Sequence, residues 1–123
     1  MKQSDLGELT TKELVERFAD IGIEQDGSLL RDEIRMFNRL YDEKQAITTE
    51  LKCRPGDQRR ALVALYRHPN MQTRLNAVKA TLALEPVAAR RMLQAIADSK
   101  QYPQAGDAGM CLSNLDRGIF APD

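Results

Sequence analysis

The chain has 123 residues, the size of one domain and enough to bury a core without disulfide or metal staples. Eighteen Lys/Arg balance eighteen Asp/Glu, which excludes generic attraction of the whole surface to nucleic acid or anionic membrane. No stretch approaches the roughly 18 apolar residues of a membrane span, and the opening MKQSDLGELT has no apolar run of a secretory leader. A cytoplasmic chain with Cys53 and Cys111 reduced is expected, each a small core residue.

The periodicity is helical from end to end, and no segment alternates as a strand would. A first helix is expected over 10–23 on the stripe Leu14, Phe18 and Ile21, with Thr10 and Glu13 at capping-box spacing. Gly22 and Gly27 then flank an expected turn. A longer helix, from about 28 to 51, carries Leu30, Ile34, Phe37, Leu40, Tyr41, Ile47 and Leu51. Its weak point is Ala46–Thr49, where β-branched residues lose rotamer freedom. Arg54–Pro55–Gly56 ends it, because the residue before proline is pushed off helical angles.

Asp57 is placed to cap a short helix, 58–67, that buries Leu62 and Leu65. His68–Pro69–Asn70 reads as a turn, with Asn70 the N-cap of a helix over 71–84 bearing Leu75, Val78 and Leu82. Glu85–Pro86 breaks that helix, and Pro86 suits the start of the next, 87–99, with Ala89, Leu93 and Ile96. After the loop 100–103, a last helix over about 104–116 carries Ala108, Leu112 and Leu115. Gly118 is a left-handed stop, and the tail IFAPD is expected to fold back through Ile119 and Phe120.

Shifted by 31 residues, the sequence matches itself. Pro55, Arg59, Arg60, Leu62, Ala64 and Leu65 fall on Pro86, Arg90, Arg91, Leu93, Ala95 and Ile96; Ala77 falls on Ala108 and Leu84 on Leu115. A period near 31 with two helices per unit is the mark of an α-solenoid, in which each hairpin buries its apolar face on a neighbour. The expected fold is an all-α, α-α superhelix of about six helices in a single domain. An acidic helix pair spans 10–51, repeats span 55–84 and 86–116, and a tail follows at 117–123. The small residues Ala64, Ala77, Ala95 and Ala108 are expected to let helices approach closely.

Charge is uneven along the chain. Residues 1–50 carry a net −5 and residues 51–123 a net +5. Attraction between two halves of one globule is the favoured reading, and a basic face for an acidic partner is the other. Arg59/Arg60 and Arg90/Arg91 lie one repeat apart, so stacking would place them side by side at roughly 10 Å. Near a helix start such cations gain nothing from the helix dipole. They either pair with acidic side chains within the protein or await an acidic partner, the first being favoured.

The stretch His68 to Leu82, HPNMQTRLNAVKATL, resembles the second half of a HEAT repeat, with Arg74 at the arginine position and Asn70 where an Asp is common. Over nearly the whole chain, through LVERFADIGIEQDGSLL, RHPNMQTRLNAVKATLAL and QAGDAGMCLSNLDRGIFAP, the sequence is similar to a small bacterial family of unknown function with a HEAT-like fold. The resemblance implies the fold, and no functional residue is carried over from it.

No catalytic, metal or cofactor motif emerges. His68 is the only histidine and lacks companion ligands. The run Gln104–Gly109 lacks the Lys–Ser/Thr pair and preceding strand of a phosphate loop. Two glycines in one helix cost about 1 kcal/mol each, so Gly106 and Gly109 imply close helix packing or the approach of a ligand. The acidic residues of the first helices have the spacing of a solvated face. The expected function is protein binding by a short solenoid, as an adaptor or immunity-type inhibitor by fold analogy, without enzymatic activity. The candidate partner-binding residues are Arg59, Arg60, Arg90, Arg91 and Arg74. The alternative is binding of nucleic-acid backbone by the basic segment 52–91, which the neutral overall charge and the absence of Trp disfavour.

Overall fold

The computed structural model describes residues 3–123, and no strand occurs among them. The elements are α1 (Gln3–Leu6), α2 (Thr11–Leu30), α3 (Ile34–Cys53), a 3-10 segment (Gln58–Arg67), α4 (Met71–Thr81), α5 (Pro86–Asp98) and α6 (Gln104–Asp116). The chain is all-α. α2 packs along α3, the 3-10 segment on α4, and α5 on α6, while α4 also meets α2, α5 and α6. This pairing is consistent with a helical-repeat superhelix.

α2 starts where the sequence indicates. The Thr10 hydroxyl accepts from the Glu13 N–H and the Glu13 carboxylate accepts from the Thr10 N–H, satisfying two otherwise orphaned donors. It does not stop at 23, however, and both Gly22 and Gly27 lie inside it. The buried stripe runs on from Leu14, Phe18 and Ile21 through Gln25 and Ser28, so its period persists while its chemistry turns polar. The reversal falls instead at Arg31–Glu33, where Asp32 takes a left-handed φ of 56°. Asp tolerates that region because its short side chain can bond locally.

α3 begins at Ile34 rather than near 28, and its first two turns stand in solvent. Ile34 is 66% exposed and Leu30, before the turn, 85%. Its buried face is Leu40, Lys44, Ile47 and Leu51. The expected weak stretch at Ala46–Thr49 stays helical, since Ile47 is fully buried in the core and Thr48 donates to the Lys44 carbonyl. Arg54 caps this end: its guanidinium donates to the carbonyls of Leu6 and Leu9 at 3.0 and 2.6 Å and to Glu50 at 2.8 Å, tying the N-terminal turn down.

The segment 58–67 is helical with three residues per turn instead of 3.6. Arg59, Leu62 and Leu65 are buried at a spacing of three, which aligns on one face in a 3-10 helix. Asp57 caps it, as expected, accepting from the Arg59 N–H. Asn70 caps α4 by accepting from the Thr73 N–H at 3.0 Å, and Pro86 is the first residue of α5. Gly118 has φ 71° and ends α6, and the amides of Ile119 and Phe120 both bond back to the Asn114 carbonyl.

Helix contact at closest range does not follow the four alanines. Ala77 and Ala108 are fully buried, but Ala64 and Ala95 are exposed. The tight crossing is at Gly22, where a Cβ would lie 2.6 Å from the Thr73 Cα and 2.7 Å from its N. There Thr73 Oγ1 donates to the Ala19 carbonyl at 2.8 Å, bonding α4 to α2. Gly106 and Gly109 have ordinary or open space around them, so close packing does not explain them. The core gathers Leu14, Phe18, Ile47, Leu62, Leu75, Leu93 and Ile96 from every layer.

Candidate functional site

The five candidate arginines part company in the structure. Arg59 is buried, with a two-pronged bond to Asp57 at 2.8 and 2.7 Å. Arg60 pairs with Glu85 at 3.3 Å and Arg90 with Asp116. Arg74 is half-buried, its Nε without a protein partner, and Arg91 is exposed. Equivalent repeat positions therefore have different environments, since Arg59 is buried and Arg90 is not. No ion pair of a basic residue beyond 54 reaches back to the acidic first half among the described residues. The second half supplies the acids for its own cations, some of them across the 31-residue units as in Lys79–Asp107, and the acidic half engages Arg17 internally, holding α2 to α3 through Glu43.

One concave site stands out. A groove of about 520 Å³ opens between α3, the 3-10 segment, α4 and α6, with the tail along its rim. α3 supplies Tyr41, Lys44, Gln45 and Thr48; α4 supplies Asn76, Lys79 and Ala80; α6 supplies Asp107, Met110 and Cys111; the tail adds Phe120 and Pro122. Of the candidate arginines, only Arg59 lines it. Its size and mixture of apolar walls with a few convergent polar groups are those of a ligand site.

Lys44 is the unusual member. The residue is 9% exposed and occupies a core position on the α3 stripe. Its Nζ sits 4.5 Å from the centre of the Tyr41 ring, a cation–π arrangement. No carboxylate among the described residues comes within ion-pair distance of it. Burial, and next the Lys79 charge, pull its pKa down to about 8, and Asp107 only partly opposes them. Asp107 is already held by Lys79 at 2.8 Å. Beside it, burial pushes the Cys111 thiol up, so this cysteine is a packed neutral thiol, while Cys53 is exposed at the end of α3.

A buried seam of amides links α6, α4 and α2 and passes through Asn76 in the groove wall. Gln104 donates to Gln72 at 3.0 Å, Gln72 to Asn76 at 3.0 Å, and Asn76 to Gln25 at 2.7 Å. The seam fixes the Asn76 side chain in the groove wall, because both ends of its amide are engaged. His68 lies outside the groove and its Nδ1 accepts from the Asn70 N–H, a turn-stabilising bond. No cluster of three or more His, Cys, Asp or Glu among the described residues is arranged to hold a metal ion. No described helix is long and apolar enough to cross a membrane.

Sequence reasoning passed over Lys44, Lys79 and Tyr41 as site residues. One signal was present: Lys44 stands four residues after Leu40 and three before Ile47, inside an apolar stripe. Lys79 and Asp107 meet only through the packing of α4 on α6, which no local pattern reveals.

The structure superposes closely on the crystal structure of the protein RPA1889 from Rhodopseudomonas palustris CGA009, with a TM-score of 0.95, 55% identity, and coverage of 97% of this chain and 98% of that one. Among curated proteins none matches. Residues 12–116 match the domain of unknown function DUF2019, a span that includes α2 through α6 and nearly all of the groove, and the chain belongs to that family.

Proposed function

We propose that this chain is a HEAT-like protein-interaction module that docks an acidic segment of a protein partner in the groove between α3, α4 and α6, binding it without catalysis. The observation that carries the reading is Lys44, a buried cation without an ion-pair partner among the described residues, at the floor of a concave site. Burying a charge without a partner is costly, and a bound carboxylate would remove that cost. Arg59, Arg60 and Arg90 argue less strongly for a docking role, since each already holds an acid. Of the nine cations in the basic segment, six hold an acid among the described residues, which leaves Arg67, Arg74 and Arg91 for a nucleic-acid backbone.

The test is a set of capped peptides, acidic-apolar and charge-swapped, titrated into the full chain and mapped by amide chemical shifts. Acidic peptides are expected to perturb α3, α4 and α6, and the Lys44→Met chain to lose the response. Charge reversal at Arg60 and Arg91 is expected to leave it intact. Perturbations confined to the Arg60/Arg91 surface would overturn the groove assignment. Salt-sensitive binding of duplex DNA with no peptide response would favour nucleic acid instead.

A further inference from the structure

We infer that the Lys44 ammonium is the receptor for one monoanionic carboxylate carried on an apolar body, seated beside the Tyr41 ring and against the α4–α6 wall. The inference rests on the groove reading above and names the chemical group the groove takes.

The first reason is accounting of charge. Of the charged side chains lining the groove, Arg59 pairs with Asp57, Lys79 with Asp107, and Asp123 with Lys52 outside it at 3.5 Å. Lys44 is left over, so the floor offers one unit of positive charge. A monoanion cancels it, whereas a phosphate dianion would leave a buried negative charge. The second is donor geometry. Arginine forks and the free amides of a helix start give phosphate its multiple directed donors, which a lysine supplies only as a point charge. Here the Arg59 fork is engaged on Asp57 and the remaining free cation is a point charge.

The third reason is access. Among described residues the only sealed polar side-chain atoms without a partner are Gln25 Nε2 and Arg74 Nε. Lys44 is buried yet lines the groove, so the route to its ammonium is through the groove. The fourth is the wall. Ala80, Ala83, Met110 and Phe120 line the groove beyond the ammonium and suit the hydrocarbon part of the ligand. A glutamate side chain of a partner or a free short-chain organic acid both present this chemistry.

The charged groups that act on Lys44 are Lys79 on α4 and Asp107 on α6, with the Tyr41 ring on its own helix beneath it, while Arg59, Cys111 and Asp123 line the same groove. With its proton held weakly, Lys44 takes up part of a proton when a carboxylate arrives at about pH 8, and affinity falls as pH rises further.

Isothermal titration of the full chain at about pH 8 tests this, in two buffers of different ionisation enthalpy. The probes are valerate, a capped pentapeptide with one Glu, and inorganic phosphate at matched ionic strength. Valerate is expected to bind with Kd on the order of 1 mM, with proton uptake, and phosphate at least about tenfold more weakly. Lys44→Met, its fold checked by circular dichroism, is expected to abolish valerate binding and the uptake, and Arg91→Gln to change neither. If valerate and the peptide both bind, the carboxylate site and the protein-partner reading both stand. If valerate binds and the peptide does not, the site stands and the partner reading falls. Equal affinity for phosphate, binding without proton uptake, or undiminished binding by Lys44→Met would each overturn the inference.

Discussion

Lys44 occupies a position that packing alone would give to leucine or methionine. Its aliphatic stem fills the stripe between Leu40 and Ile47, and its charged end is held in a site that disfavours charge. The sign of the resulting pH effect follows from linkage. In the folded chain the group releases its proton near pH 8, below the ordinary lysine value, so between those limits the unfolded chain binds more protons and stability rises with pH. Cys111 and Tyr66, whose pKa values are raised, act oppositely at higher pH, so the clean window lies below the thiol range. Urea unfolding is expected to show a gain of roughly 0.4 kcal/mol between about pH 7 and 8. Lys44→Met is expected to flatten that slope and to raise stability at neutral pH, removing a buried charge at little cost in volume. An unchanged slope in the variant would assign the effect to another group.

At the scale of elements, the two kinds of glycine make opposite predictions. Gly22→Ala forces a methyl group onto the Thr73 backbone where α2 crosses α4, and is expected to cost about 1–3 kcal/mol. Gly109→Ala meets open space in a helix and is expected to add up to about 1 kcal/mol. Denaturant midpoints with unchanged slopes would check both. Asn70→Ala removes the α4 cap and is expected to cost about 1 kcal/mol by the same measurement.

The elements also show what the sequence reveals and what it hides. Caps at Thr10, Asp57 and Asn70, the proline start of α5 and the bounds of α6 are local chemistry, and all are readable. The length of α2 was not, because its buried stripe turns polar at Gln25 and Ser28 just where two glycines imitate a turn. The true reversal at Asp32 carries no glycine to announce it. In the 58–67 segment, period three and period 3.6 nearly coincide over ten residues, so apolar spacing alone could not separate a 3-10 from an α-helix.

At the scale of the whole molecule, positions 31 residues apart agree in burial better than in surface. Leu62 and Leu93, Leu65 and Ile96, and Ala77 and Ala108 are buried in both units, while Arg59 and Arg90 are not alike. Core positions answer to helix packing, whereas an arginine is fixed by whichever acid lies near it. Exposed pairs such as Arg60–Glu85 contribute on the order of 0–1 kcal/mol. Charge reversal at Arg60 and Arg91 is therefore expected to shift thermal midpoints by only a few degrees, and a loss of folding would show an unrecognised structural role for the arginines.

The groove depends on three α-helices, the 3-10 segment and the tail meeting, and its unpaired charge depends on which cations find partners there. The pH titration of the Lys44 side-chain resonance, in the full chain with and without saturating valerate, is the most direct measurement. A midpoint near 8 in the free chain, rising when valerate is bound, is expected. A midpoint at the ordinary lysine value, unmoved by the carboxylate, would contradict a buried cation that waits for an acidic group.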